Sequence, residues 1–462
     1  MSFSALSRLF ALIRPTPFAF YHSSRKLTNV AISIILLISY LAFVIYIMKG
    51  GNLLMGFIMM SCVWIPVGVL GGQIDWATFN GNIMQTAPSN IGGNVVLIFI
   101  GSWLGQVLLK TGIASTIIRK TVELGGDKPL FVAVLLSILT TLIFCSAYGA
   151  GAVIGIGVIV LPILLSLGVP KAVATASYLM SVGAGMYTNA VIFSEKQAVL
   201  LLNETNPEYT YQVYKQVGMV ATGVQLVIII LMLVTMLGKK KKNVHAWAAP
   251  AGDAEAASKD APLYALLAPF LPVILIIFFK WNSLPAFLAA IFYALFTCGY
   301  GKSFNGLGDT INRTLYDGIM DAAPLIGFLF FQGIFTAAAN CDAVFFKESL
   351  GAIIPTSTLL LTIVFAIGTP LGLFRGPLSV FGVGPVTFAV INSLGVFQIP
   401  FLFAVFQFTG IATTISSCVT QSWNIWAINY TKVSTKDFML TAFPWCWVAN
   451  IINLAILFVR IG

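Results

Sequence analysis

One arginine stands where the sequence around it is almost wholly apolar: Arg375, in Gly372-Leu-Phe-Arg-Gly-Pro377. Its guanidinium is a planar fork of donors that matches a carboxylate. At the centre of a bilayer such a charge costs at least ~2.5–3.5 kcal/mol on insertion scales, so it must face a cavity or a partner. A turn at the membrane surface would make it an ordinary exposed arginine instead. Small and polar residues gather at other breaks in the apolar sequence. Ser146, Tyr148, Gly149 and Gly151 lie in Cys145-Ser-Ala-Tyr-Gly-Ala-Gly151, and Thr188 and Asn189 close a Gly-rich stretch that begins at Ser181. Thr369, Gly376 and Ser379 surround Arg375, and Thr413, Thr414 and Gln421 lie in and beyond the stretch 409–417. With Arg375, these form the expected substrate-binding set. Hydroxyls, amides and half-helix N-termini would hold the oxygens of an anion. Taken singly, each is more often a packing residue, and Tyr148 reads equally well as a core tyrosine.

A second set has the chemistry to couple transport to an ion. Glu195 and Lys196, in Phe193-Ser-Glu-Lys-Gln-Ala198, interrupt another apolar segment. A buried carboxylate there could exchange protons; the plainer reading is a local ion pair where the helix surfaces. The hydroxyls and exposed carbonyls of Ser181, Gly183, Gly185, Thr409, Gly410 and Ser417 could instead hold sodium. Residue types alone do not decide between proton and sodium. Asp317 and Asp321 precede an apolar span and are expected at the interface.

Catalytic chemistry finds no seat. The two histidines, His22 and His245, lie outside the apolar spans, and the six cysteines are scattered without ligand spacing. No HExxH, GxSxG, P-loop or GxGxxG pattern occurs. No enzyme activity, cofactor or metal is expected. The +10 charge lies at span ends and in loops, which points to membrane topology rather than to nucleic acid.

Composition dictates the elements that carry these residues. Of 462 residues 58% are hydrophobic and only 9% charged, against about 25% charged in soluble domains. Apolar runs near the ~20 residues needed to cross a bilayer recur throughout, so the chain reads as an all-α integral membrane protein. The spans fall at about 28–48, 52–71, 92–109, 130–168, 171–202 and 215–238, then 262–280, 284–299, 323–340, 355–393, 397–427 and 438–459. A basic, amphipathic arm (1–27) precedes the first series, and a polar linker (239–261), beginning with four lysines, divides the two.

The two series match in residues as well as in rhythm. Gly81, Ile83, Met84, Ala87 and Pro88 correspond to Gly318, Ile319, Met320, Ala323 and Pro324 with one small gap. Leu167-Gly-Val169 matches Leu394-Gly-Val396, and Gly183 matches Gly410 at the same offset. Repeats over 28–238 and 262–462 follow. Segments 130–168 and 355–393 each break at a tip of small residues, which favours a re-entrant hairpin over two full crossings, because irregular backbone at membrane depth survives only beside a protein-lined cavity. The next span of each half is interrupted too, at 181–189 and 409–417. Paired interruptions in a duplicated chain point to a transporter's binding site. Five crossings per half would insert the second half upside down, so the hairpins enter from opposite faces. The distribution of Lys and Arg puts the lysine run in the cytoplasm and both termini outside, though the basic N-terminal arm disagrees.

Local motifs add a resemblance. Gly112-Ile-Ala-Ser-Thr-Ile-Ile-Arg119, Gly125-Gly-Asp-Lys-Pro129 and Leu161-Pro-Ile-Leu-Leu-Ser-Leu-Gly-Val-Pro170 make the region around 101–195 resemble the ion transporter superfamily of organic-anion permeases, most of all its proton-coupled gluconate and citrate branch. The resemblance implies inverted repeats, two re-entrant hairpins, two broken helices and often a homodimer. The first hairpin tip lacks the Ser-Asn-Thr signature of the sodium-coupled dicarboxylate carriers. The expected function is secondary active transport of a small organic anion, a carboxylate or sugar acid, across the cytoplasmic (inner) membrane. The alternative is a sodium/proton antiporter, for which Glu195 would be the membrane-embedded carboxylate.

Overall fold

The structure, a computed structural model, describes residues 17–49, 51–89, 92–125, 128–202, 209–238, 260–350 and 354–462. Residues 1–16 of the expected arm and 239–259 of the expected linker lie outside them. Among the described residues all regular structure is helical. That is what a chain this apolar needs, since a helix satisfies its own backbone polar groups without water.

Helices α1 (Pro17–Met48) and α2 (Leu53–Leu70) form an antiparallel pair. Asn52 caps α2 by accepting the Met55 N–H at 3.1 Å. A π-helical segment, Thr78–Thr86, follows. Its entry is set by Asp75, which accepts the Thr78 N–H at 2.7 Å; that hydrogen bond holds the Asp75 carboxyl below the usual range. Helix α3 (Gly92–Lys110) bends by 61° into α4 (Ile113–Gly125). Next come α5 (Pro129–Phe144) and α6 (Ala150–Ser166), then α7 (Lys171–Met186) and α8 (Ala190–Val199), and then the long α9 (Tyr211–Leu237). The second series opens with a 3₁₀ turn (Leu263–Phe270) running into α10 (Leu271–Phe278), then α11 (Ser283–Thr297) and α12 (Phe304–Leu350). It closes with α13 (Thr358–Gly368) and a 3₁₀ turn (Thr369–Arg375), α14 (Gly384–Ser393), α15 (Ile399–Gly410), which continues as a π turn (Ile411–Ile415), α16 (Ser422–Thr431) and α17 (Thr435–Ile461).

Both interrupted segments fold as two helical arms about a buried tip. In the second half the first arm with its 3₁₀ turn, Thr358–Arg375, is itself long and apolar enough to cross a membrane. Arms α5 and α6 have 16 and 17 residues, shorter than a full crossing, and the tip between them, 145–149, is buried. In the second half α13 and α14 flank a tip whose residues 378–383 are buried. The matched glycines Gly168 and Gly395 (φ +79° and +68°) end the second arm of each hairpin. Only glycine takes that left-handed conformation without cost, and this is the reason for the shared Leu-Gly-Val. Among the described residues five helices are long and apolar enough to cross a membrane, six if α3 and α4 form one bent span. Exposed apolar residues on α1 (Val30, Ile34, Ile38, Leu41, Ile45) recur at helical spacing, as a lipid-facing stripe does.

Helix α12 is continuous over 47 residues and carries Asp317 and Asp321 within it. Its apolar part packs on α3, where small residues let the two backbones approach. Gly318 is the closest point: an added Cβ would stand 2.8 Å from Trp103 Cα and N. Gly318→Ala is therefore expected to destabilise the protein by about 1–3 kcal/mol, read as a lower Tm in detergent. Gly327→Ala, on the same helix with nothing within 4 Å of the new carbon, is expected to leave Tm unchanged or higher.

Candidate functional site

The first hairpin tip is held by the helix break next to it. Asn189 ends that break and caps α8, accepting the Val191 N–H at 2.9 Å and the Ile192 N–H at 3.3 Å. Its amide donates to the Phe144 and Ala147 carbonyls at the tip, both at 3.0 Å. Four hydrogen bonds thus leave this buried side chain with nothing spare. From the fixed tip the Tyr148 hydroxyl donates to Glu195 Oε2 at 2.6 Å. Lys196 Nζ donates to Glu195 Oε1 at 2.6 Å, and neither member of the pair is exposed to any extent.

The second tip meets the same pair from the other side. Lys196 Nζ stands 3.1 Å from the centroid of the Phe381 ring, a cation–π contact strengthened by desolvation. Phe374 and Arg375 take left-handed φ of 53° and 62°, a strain of roughly 1–3 kcal/mol each that surrounding contacts must hold. Those contacts are present: Val383 N–H donates to Arg375 O at 3.1 Å, Phe374 N–H to Cys418 Sγ at 3.1 Å, and Ser379 pairs with Thr414 at 2.6 Å. The strained backbone aims Arg375 so that Nη1 donates to Phe381 O at 2.9 Å and Nη2 to Thr420 O at 3.2 Å and Gln421 Oε1 at 3.3 Å. Every acceptor is neutral. Among the described residues no carboxylate forms an ion pair with this guanidinium.

Between the tips lies an open cavity of about 810 Å³, its wall including Tyr148, Gly149, Glu195, Asp321, Arg375 and Gln421. Five of these six belong to the residue sets read from the sequence. The other members lie elsewhere, mostly because their polar atoms are already satisfied. Ser146 donates to Pro269 O, Thr188 pairs with Thr222 at 2.6 Å, Thr369 donates to Phe365 O at 2.9 Å, and Thr413 donates to Thr409 O at 2.7 Å. Gly151 lies against the Asp321 side chain, and Gly376 folds back on the Leu371 carbonyl.

Of the expected coupling-ion residues only Glu195 lines the cavity. Ser181 donates to Ser177 O at 2.6 Å, Ser417 to Ala412 O at 2.8 Å, and Thr409 accepts from Asn450 at 3.2 Å. Back-bonding of this kind is how helices absorb hydroxyls. Gly183 and Gly185 are packing positions: Gly183 meets Ser416, and Gly185 meets the backbone of Thr141 and Phe144. Gly410 lies beside Phe381.

One reading changes in the folded chain. The Glu195–Lys196 ion pair is not at a helix end reaching the surface but in the interior, because both tips close over α8. Asp321 lines the cavity, and its Oδ2 accepts from Gln106 Nε2 at 2.5 Å. Phe381 and Thr420 are lining residues the sequence reading passed over, and Asp321 is one it named outside the binding sets. One signal was present: the offset that pairs Leu167 with Leu394 also pairs Tyr148 with Arg375 and Gly149 with Gly376. That offset places Tyr148 and Arg375, one from each tip, on the wall of the same cavity.

No protein-family model and no curated protein sequence matches the chain. The fold is similar to the crystal structure of the YdaH transporter of Alcanivorax borkumensis, with a TM-score of 0.60 at 16% identity, covering 88% of this chain and 98% of that one. The likeness establishes the fold: an all-α polytopic membrane architecture. It does not single out the gluconate or citrate branch.

The buried pair generates a stability prediction. Lys196→Met leaves Glu195 an uncompensated buried charge and is expected to cost about 3–5 kcal/mol. The double change Lys196→Met with Glu195→Gln is expected to cost less than Lys196→Met alone. Thermal unfolding of the single and double variants checks both.

Proposed function

We propose that this chain is a secondary active transporter for a small organic anion, a carboxylate or a sugar acid, working by alternating access across the cytoplasmic membrane. The observation that carries the reading is Arg375: a cationic fork at a strained hairpin tip, facing a cavity, with only neutral acceptors around it. All three of its hydrogen bonds go to neutral acceptors, and an incoming carboxylate adds charge-assisted ones. The fold's likeness to a structure described as a transporter adds support.

In this reading the segments 28–238 and 262–462 are inverted repeats, and each contributes one tip to a site shared between them. Rocking of the tips against α3 and α12 would open the cavity to one side and then the other, driven by a proton or sodium gradient. Relation to the organic-anion permeases of the ion transporter superfamily belongs to the same proposal. The antiporter reading is less well supported, since Glu195, the carboxylate it needs, is already engaged by Lys196 and Tyr148.

The test is uptake of labelled carboxylates and sugar acids into proteoliposomes, paired with thermal stabilisation of the purified protein by the same compounds. Wild type is expected to take up at least one of them. Arg375→Ala is expected to weaken its binding about 10–100-fold. Arg375→Lys, which keeps the charge but loses the fork, is expected to fall between. Transport unchanged in Arg375→Ala would overturn the assignment of the site.

A further inference from the structure

We infer that the substrate is dipolar: beside its carboxylate it carries a cationic amine, as an amino acid does, and Asp321 is the group that receives it. The inference rests on the anion-transport reading and narrows its substrate class. The cavity wall carries three charged side chains, Glu195, Arg375 and Asp321, and Lys196 is the partner of Glu195. Glu195 and Lys196 neutralise each other at 2.6 Å. One positive and one negative group remain, and neither has an ion-pair partner among the described residues.

The two unpaired groups belong to different parts of the cavity wall. Arg375 is on the second hairpin tip. Asp321 projects from α12 over the start of α6, the second arm of the first hairpin, where it adjoins Gly151. Its carboxylate is half-buried and accepts hydrogen bonds from the Gln106 amide, at Oδ2, and from the Gly151 N–H. That position matters for the anion as well. The N-terminus of α6 would otherwise offer a second anion-binding end, and a resident carboxylate occupies it. An anionic group is therefore steered to Arg375, and the region beside the first tip attracts positive charge. A substrate with one group of each sign matches both ends; a dicarboxylate would set its second charge against Asp321.

Matched pairs differing only by an amine test this on the full-length protein in detergent: succinate with aspartate, glutarate with glutamate, and hexanoate with 6-aminohexanoate. In wild type at least one amino member is expected to stabilise at a half-saturating concentration about tenfold lower than its deaminated partner. Asp321→Asn, nearly isosteric, is expected to erase that difference while the response to the deaminated acid persists, which also reports a folded variant. Equal responses within every pair in wild type would overturn the inference and leave the anion carrier standing. A preference that survives in Asp321→Asn would overturn it too. So would a response to deaminated acids that depends on sodium and loses that dependence in Asp321→Asn, because Asp321 would then serve a metal cation. Should Asp321→Asn fail to fold, the wild-type pairs alone decide. Silence across all six compounds, with silence across the wider set of carboxylates and sugar acids, would remove the transport reading itself.

Discussion

The interior of this protein turns on one ion pair between neighbours in sequence. Glu195 and Lys196 sit on α8, fully enclosed, and each reaches a different hairpin: Glu195 holds Tyr148 of the first tip, Lys196 stacks on Phe381 of the second. Adjacent residues on a helix point about 100° apart, so a two-residue charge couplet is well placed to touch two elements at once. Burying charge in a low-dielectric interior is expensive. Here the cost is offset by mutual compensation, a short hydroxyl hydrogen bond and an aromatic face. The pair thereby makes the relative position of the tips an electrostatic matter.

The tips are equivalent in topology and unlike in chemistry. Each ends its second arm in a left-handed glycine, and the same offset relates Tyr148 to Arg375. The first tip is closed by amide hydrogen bonds from Asn189 and gives its tyrosine to Glu195, so its polar atoms are largely used up. The second is held in strained left-handed backbone at Phe374 and Arg375 and keeps a guanidinium toward the cavity. Strain of this kind persists only where neighbouring contacts over-determine it, and the hydrogen bonds from Val383 and Phe374 supply that. The first tip thus acts as a strut, and the second presents the charge.

Much of the architecture was legible because membrane folding leaves a strong mark in composition. Hydropathy located the helices, and the small residues at 145–151 and 368–377 marked the hairpin tips. Matched glycines located the ends of the second arms. The bonding of each hydroxyl was not legible: Ser181, Thr413 and Ser417 donate back to their own helices, which a one-dimensional pattern does not show. Nor was the place of Asp321 on the cavity wall, because the polar stretch around it continues as helix within α12.

The sequence by itself determined that the chain lives in a membrane, that its regular structure is helical, and that Arg375 lies in a place where a charge needs a reason. Those properties are local or compositional, and the solvent enforces them directly. Only the tertiary structure decided which polar groups face a common cavity, that Glu195 and Lys196 pair in the interior, and that Asp321 shares a wall with Arg375. Those facts depend on how helices distant in sequence pack and on which donors find acceptors first, and neither is encoded in the spacing of any single segment.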